Sequence, residues 1–245
     1  MRFTLAFGFL GLILAGLAVR LARHASAGWW WLVGAETYLA ICFLAIAAVY
    51  GLRKAGISVE DVRVPSAASL VLRVTLLPYL ALGALTLYVG RWFDSDGLLN
   101  LVSPVLYIGR LPFPAERPGL RDAGVQAVLN LCWEFPRLSG TDADLGLETA
   151  HVPILDGAPP TDRQFQAAVQ TVARWHAAGR CVLIHCAQGH GRTATITAAV
   201  LVELALVADV EQALSRVRAT RPSAYPSGEQ KEALIQYLRS RNHGA

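Results

Sequence analysis

Three long stretches almost free of charge occupy the first 92 residues, and they restrict that part of the chain more than any other feature. Residues 3–19 and 74–90 carry no charged side chain, and residues 28–52 carry only Glu36. Each approaches the roughly 20 apolar residues that cross a bilayer as a helix. Trp29, Trp30 and Trp31 open the second stretch, and Tyr88 and Trp92 close the third, as aromatic side chains do at a membrane interface. Three such runs with basic flanks are a poor fit to core helices of a soluble protein. We therefore expect three transmembrane helices, at about 3–20, 29–52 and 72–91, in a membrane region spanning residues 1–92. Glu36 is an ionisable group within a span, a functional candidate by default, yet close enough to the Trp-rich end to reach the headgroups.

The first stretch has a rival reading. Arg2, the apolar run and Ala25-Ser26-Ala27 together resemble a secretory signal cleaved after Ala27. Arg20 and Arg23 directly after the run argue for a retained anchor instead, since such charges tend to hold that end in the cytoplasm. We expect a multi-pass integral membrane protein whose C-terminal domain is cytoplasmic, where a reactive thiolate persists more readily. Charge supports the division. Residues 1–92 contain 8 Lys and Arg against 3 Asp and Glu, whereas residues 93–245 contain 14 against 15. The sequence pI of about 9.0 therefore belongs to the membrane flanks and not to a basic face for nucleic acid. Cys42, Cys132, Cys181 and Cys186 show no paired spacing, so no disulfide framework is expected and function falls to single thiols.

From Asp94 onward short apolar runs alternate with helical spacing. Strands are expected at 105–108, 127–131, 150–154 and 181–185, and helices at 161–178, 192–207, 209–220 and 227–241. The fold class is N-terminal transmembrane helices followed by an α/β domain, residues 93–245, with a central sheet flanked by helices.

After the strand ending at His185 come Cys186, Ala187, Gln188, Gly189, His190 and Gly191, then Arg192 and Thr193 at the start of a helix. Small residues let successive backbone N–H groups converge on an anion, and the helix N-terminus adds its own N–H groups and partial positive charge. A cysteine at the floor of such a cup is stabilised as thiolate, the nucleophilic form. Arg192 offers a planar fork to two phosphoryl oxygens, in ground and transition state alike. Expulsion of an alkoxide also needs an acid. Asp156, followed by Gly157-Ala158-Pro159-Pro160, lies in a stiff loop suited to cover the cup; Asp142 and Asp144, in a Gly/Asp/Thr-rich stretch, are the alternatives. Thr193 is placed to hydrogen-bond the sulfur as it departs, and His190 in the mouth could add positive charge when protonated. Zinc on Cys181, His185, Cys186 and His190 is disfavoured, because consecutive residues at a strand-to-helix turn rarely converge tetrahedrally. His24, His151, His176 and His243 show no partner pattern.

The run His-Cys-x-x-Gly-x-x-Arg-Thr, with an Asp-containing loop 30 residues upstream, resembles the protein tyrosine and dual-specificity phosphatase superfamily. The resemblance covers about residues 102–237, including Leu106-Tyr107-Ile108-Gly109-Arg110, Val128-Leu129-Asn130-Leu131, Arg221-Pro222 and Gln230, and its compact size is similar to the dual-specificity branch. Gly191 stands where Ser or Thr is frequent, and Ala194 where Gly is. The resemblance implies Cys186 as nucleophile, Arg192 as phosphate ligand, Asp156 as acid and base, Thr193 as an aid to hydrolysis, and His185 as a support of the loop, with no cofactor or metal. The substrate expected is a phosphomonoester at a membrane surface, either a phospholipid headgroup phosphate or a phosphoprotein. Members that act on phosphatidylglycerophosphate or phosphoinositides favour the lipid, although Ala187, Gln188 and His190 stand where those members often carry Lys or Arg. The rival from another class is a catalytically silent phosphate-binding membrane scaffold.

Overall fold

The computed structural model describes residues 2–57, 66–135 and 146–242, and the chain divides into two compact units, residues 1–89 and 90–245. In the first unit, α1 (Arg2–His24) and α2 (Trp30–Lys54) pack against each other along most of their length. Their order is antiparallel: Gly8 faces Ala47, Gly11 faces Leu44, and Gly51 faces Thr4. Gly11 permits the approach, since a Cβ there would lie 2.8 Å from Leu44 Cγ; small residues serve this purpose where helices meet closely. Phe3, Phe7, Phe43 and Tyr50 stack across the same seam. Both helices are long and apolar enough to cross a membrane.

The third apolar stretch is built differently from the expectation. It divides at Leu76 into α3 (Ser66–Thr75) and α4 (Leu77–Phe93), the latter of 17 residues. Pro78 is the physical reason: lacking an N–H, it cannot donate to the Val74 carbonyl four residues back. That carbonyl accepts from the Tyr38 hydroxyl instead.

The second unit contains a five-stranded sheet in the order β1-β2-β5-β3-β4. The strands are β1 (Leu99–Ser103), β2 (Leu106–Arg110), β3 (Ala127–Cys132), β4 (Glu148–Ile154) and β5 (Val182–Cys186). Only β1 is antiparallel to its neighbour; β2, β5, β3 and β4 run parallel. The four expected strands all form, each shifted by two residues or fewer at either end, and β1 is an addition. Helices α5 (Pro118–Asp122), α6 (Asp162–Ala177), α7 (Gly191–Glu203), α8 (Val210–Thr220) and α9 (Gly228–Asn242) complete the unit. Every residue of β5 is buried, as expected for a central parallel strand, and the core joins it to Ile108, Leu129, Phe165, Trp175, Ile196 and Leu234. Parallel strands bring the C-terminal ends of β2, β3, β4 and β5 to one edge, where sites in such sheets lie.

Candidate active site

Cys186 is the last residue of β5 and only 4% exposed. The chain then curls through Ala187–His190 into α7, with His190 as the residue before the helix. Three consecutive carbonyls of this curl are held from outside it. His185 Nδ1 donates to Cys186 O at 3.2 Å, the Leu111 N–H donates to Ala187 O at 3.1 Å, and Arg221 Nη2 donates to Gln188 O at 3.0 Å. Because a trans peptide is planar, its C=O and N–H point in opposite directions. Pinning these carbonyls outward therefore turns the N–H groups of Ala187, Gln188 and Gly189 to the other side, as an anion cup needs. Gly189 is indispensable to the curl: its φ is +74°, and a Cβ would lie 2.5 Å from Gly109 O. Gly191 has its own reason for being small, since a Cβ there would lie 2.6 Å from Gln230 Oε1.

His185 is enclosed, and burial, which disfavours the charged ring, pushes its pKa down to about 4; the neighbouring Arg192, His151 and Arg117 act in the same direction. It is thus a neutral donor to the Cys186 carbonyl. His190 is also shifted down, first by burial and then by Arg221. Both effects disfavour the charged ring, while Asp94, Asp96 and Asp156 act in the opposite direction.

Arg192 is 2% exposed. Its guanidinium meets Glu134 in a two-pronged pair, Nη1 to Oε2 at 2.8 Å and Nη2 to Oε1 at 2.6 Å, while Nη1 also donates to Ile154 O at 2.9 Å. Burial opposes its charge, but Glu134 and Asp156 more than compensate and raise its pKa. Glu134 lies two residues beyond the end of β3, in a turn held by Asn130 Nδ2 to Phe135 O at 2.8 Å and His151 Nε2 to Cys132 O at 2.7 Å. Sequence reasoning passed over this glutamate. The available signal was its place just beyond a strand that ends at the same edge as β5.

Asp156 lies beside Arg192, Oδ1 to Nη2 at 2.9 Å, with its side chain 57% exposed. The turn that carries it closes with the Ala158 N–H donating to Leu155 O, and Gly157 at φ +68°. Two buried glutamines fix that turn: Gln164 Nε2 donates to Pro153 O at 2.6 Å, and Gln230 Nε2 donates to Ala158 O at 3.1 Å. Thr193 is fully buried, and its hydroxyl has no hydrogen-bond partner among the described residues. The fold thus gathers Cys186, Arg192, Asp156, Thr193, His185 and the loop at one edge. Asp142, Asp144 and His243 lie outside the described residues.

With this geometry in place, the comparisons with known proteins are specific. A family profile described as "polymorphic toxin system, DSP-PTPase phosphatase" matches residues 115–205. Phosphatidylglycerophosphate phosphatase PTPMT1 of Arabidopsis thaliana is 28% identical over 151 residues, covering 60% of this chain and 42% of that protein. Dual specificity protein phosphatase 12 of Mus musculus is 33% identical over 135 residues, 54% of this chain and 38% of that protein. The chain thus spans about two fifths of the length of these relatives. Among solved structures, the active form of Tk-PTP superposes with a TM-score of 0.53 at 26% identity, covering 58% of this chain and 96% of its own. PTPMT1 in complex with PI(5)P superposes at 0.54 and 21% identity, over 61% of this chain and all of its own, a likeness of fold. A sheet edge carrying a Cys-x5-Arg loop defines the class as a cysteine-dependent phosphatase fold. The second unit is similar in sequence and in fold to members of the protein tyrosine and dual-specificity phosphatase superfamily.

Proposed function

We propose that this protein is a membrane-anchored phosphomonoesterase that works through a cysteinyl-phosphate intermediate, with a phospholipid headgroup phosphate as its substrate. The observation that carries the chemistry is the cup of outward-pinned carbonyls around Cys186, closed by the Arg192 fork. The Cys186 thiolate attacks phosphorus, and the ester oxygen leaves with a proton from Asp156. Arg192 uses Nη2 for Asp156, so an incoming phosphoryl oxygen competes for that nitrogen and releases the carboxyl towards the leaving group. Glu134 keeps the fork aimed throughout. Asp156 then deprotonates the water that cleaves the S–P bond, and the Thr193 hydroxyl, without a partner among the described residues, offers a hydrogen bond to the departing sulfur.

The lipid reading is supported by two helices long and apolar enough to span a bilayer, with α4 as a third apolar segment, and by a relative named for phosphatidylglycerophosphate. A phosphoprotein is the second reading, supported by the 33% identity to a dual specificity protein phosphatase. Phosphate release from the detergent-solubilised full chain separates them. Turnover of phosphatidylglycerophosphate well above that of phosphotyrosine peptides is expected; turnover of peptides alone would overturn the lipid assignment. p-Nitrophenyl phosphate hydrolysis abolished by Cys186→Ser tests the nucleophile, and unchanged activity in that variant would refute the mechanism.

A further inference from the structure

Two of the three carbonyl pins of the phosphate loop trace back to one short segment, residues 90–96, where α4 ends and the second unit begins. Arg91 Nη2 donates to the Leu111 carbonyl, and Leu111 in turn donates its N–H to Ala187 O. Asp94 Oδ2 meets Arg221 Nη2 at 3.3 Å, and the same nitrogen donates to Gln188 O at 3.0 Å. The two ends are joined by further pairs, Arg91 to Glu116 at 2.5 Å, Glu116 to Arg110 at 3.1 Å and Arg110 to Asp94 at 2.5 Å. Asp96 finishes the series, 3.9 Å from Arg221 Nε and accepting from the Ser223 N–H at 3.0 Å. Six charges thus alternate in sign and cancel, which is what permits their enclosure. Burial opposes the ionised forms of Asp94 and Glu116, but the arginine hydrogen bonds prevail and hold both below the usual carboxylate range. Gly90 leaves room for the loop, since a Cβ there would lie 3.1 Å from Gln188 Nε2.

We infer that residues 90–96 are a positioning element of the phosphate loop, acting on Ala187 through Arg91 and Leu111 and on Gln188 through Asp94 and Arg221. The inference rests on the phosphatase reading and adds a determinant that lies outside the loop and the acid turn. Arg221 is fully buried and is also held by Gly97 O at 3.0 Å and Asn100 Oδ1 at 2.8 Å. Without the Asp94 charge the guanidinium has Asp96 as its remaining carboxylate, on the Nε side. Turning towards it lengthens the Nη2 bond to Gln188 O and frees the Gln188–Gly189 peptide to rotate. Oxyanion binding suffers first, because the Gly189 N–H then points away for part of the time.

The experiment measures inhibition of the full chain in detergent by inorganic phosphate and by orthovanadate, with p-nitrophenyl phosphate as reporter. Asp94→Asn is expected to raise both inhibition constants and KM about tenfold, the worth of one charge-assisted hydrogen bond, with a smaller fall in kcat. Arg91→Gln, at the edge of the network, is expected to raise them about threefold, and Asp94→Glu to recover part of the loss. Glu211→Gln, which breaks an exposed pair with Lys231, should change nothing. Unchanged inhibition constants in folded Asp94→Asn and Arg91→Gln overturn the inference, as does a lower melting temperature with binding intact. Wild-type turnover and its loss in Cys186→Ser decide the phosphatase reading separately.

Discussion

Arg192 serves two masters at the residue scale, a permanent one in Glu134 and a replaceable one in Asp156. The difference is exposure: the Glu134 side chain is 7% exposed against 57% for Asp156. A buried pair is costly to break from one side. Glu134→Gln sets an amide against a guanidinium edge that requires acceptors, so we expect kcat/KM for p-nitrophenyl phosphate to fall by about tenfold to a hundredfold with a lowered melting temperature. Wild-type kinetics in that variant would show the pair to be dispensable. His185 predicts a pH effect of definite sign. Its folded pKa of about 4 lies below the ordinary 6.5, so the unfolded chain binds more protons between these values. The neutral ring's contribution is complete above pH 6.5 and is lost as pH falls towards 4. The ceiling is about 3 kcal/mol. His185→Asn should flatten that part of a stability curve measured by thermal melting from pH 7 to 4; a curve as steep as wild type would place the titration elsewhere.

At the scale of elements, what was legible in the sequence was whatever depends on local pattern. β3 and β5 are largely apolar runs, and α6 carries its start in the Thr161 and Gln164 side chains, which exchange hydrogen bonds with each other's backbone N–H. β1 was not legible, because Leu99-Asn100-Leu101-Val102-Ser103 is half-exposed and takes its order from pairing with β2. Glu134 and Asp94 were illegible for a related reason: each matters through an arginine 58 or 127 residues away, and no local spacing encodes that. Gly189 was legible as a small residue, and the structure adds why alanine will not serve. A left-handed φ costs a side chain about 1 kcal/mol or more, and the Gly109 carbonyl occupies the Cβ position. Gly189→Ala should therefore open the loop from β2, raising KM and the phosphate inhibition constant at least tenfold. Unaltered binding would mean that β2 yields more easily than its place beside β5 implies.

For the whole molecule the question is why a near-neutral domain of phosphatase-like fold follows an apolar first unit. α1 and α2 leave Leu5, Phe9, Leu12 and Trp31 more than 60% exposed, a surface that water disfavours and acyl chains accept. The full chain should stay with the membrane pellet through alkaline carbonate washing, and release into the supernatant would remove the basis for an anchor. Anchoring changes the kinetics for a substrate in the same plane, because encounter then depends on surface density and not on bulk concentration. In proteoliposomes at fixed bulk lipid phosphate and below saturation, a tenfold dilution of that lipid with phosphatidylcholine should slow turnover about tenfold. Hydrolysis of a soluble phosphopeptide by the same vesicles should not change. A rate on lipid that ignores mole fraction would mean that substrate reaches Cys186 from solution, and the anchor would then serve location alone.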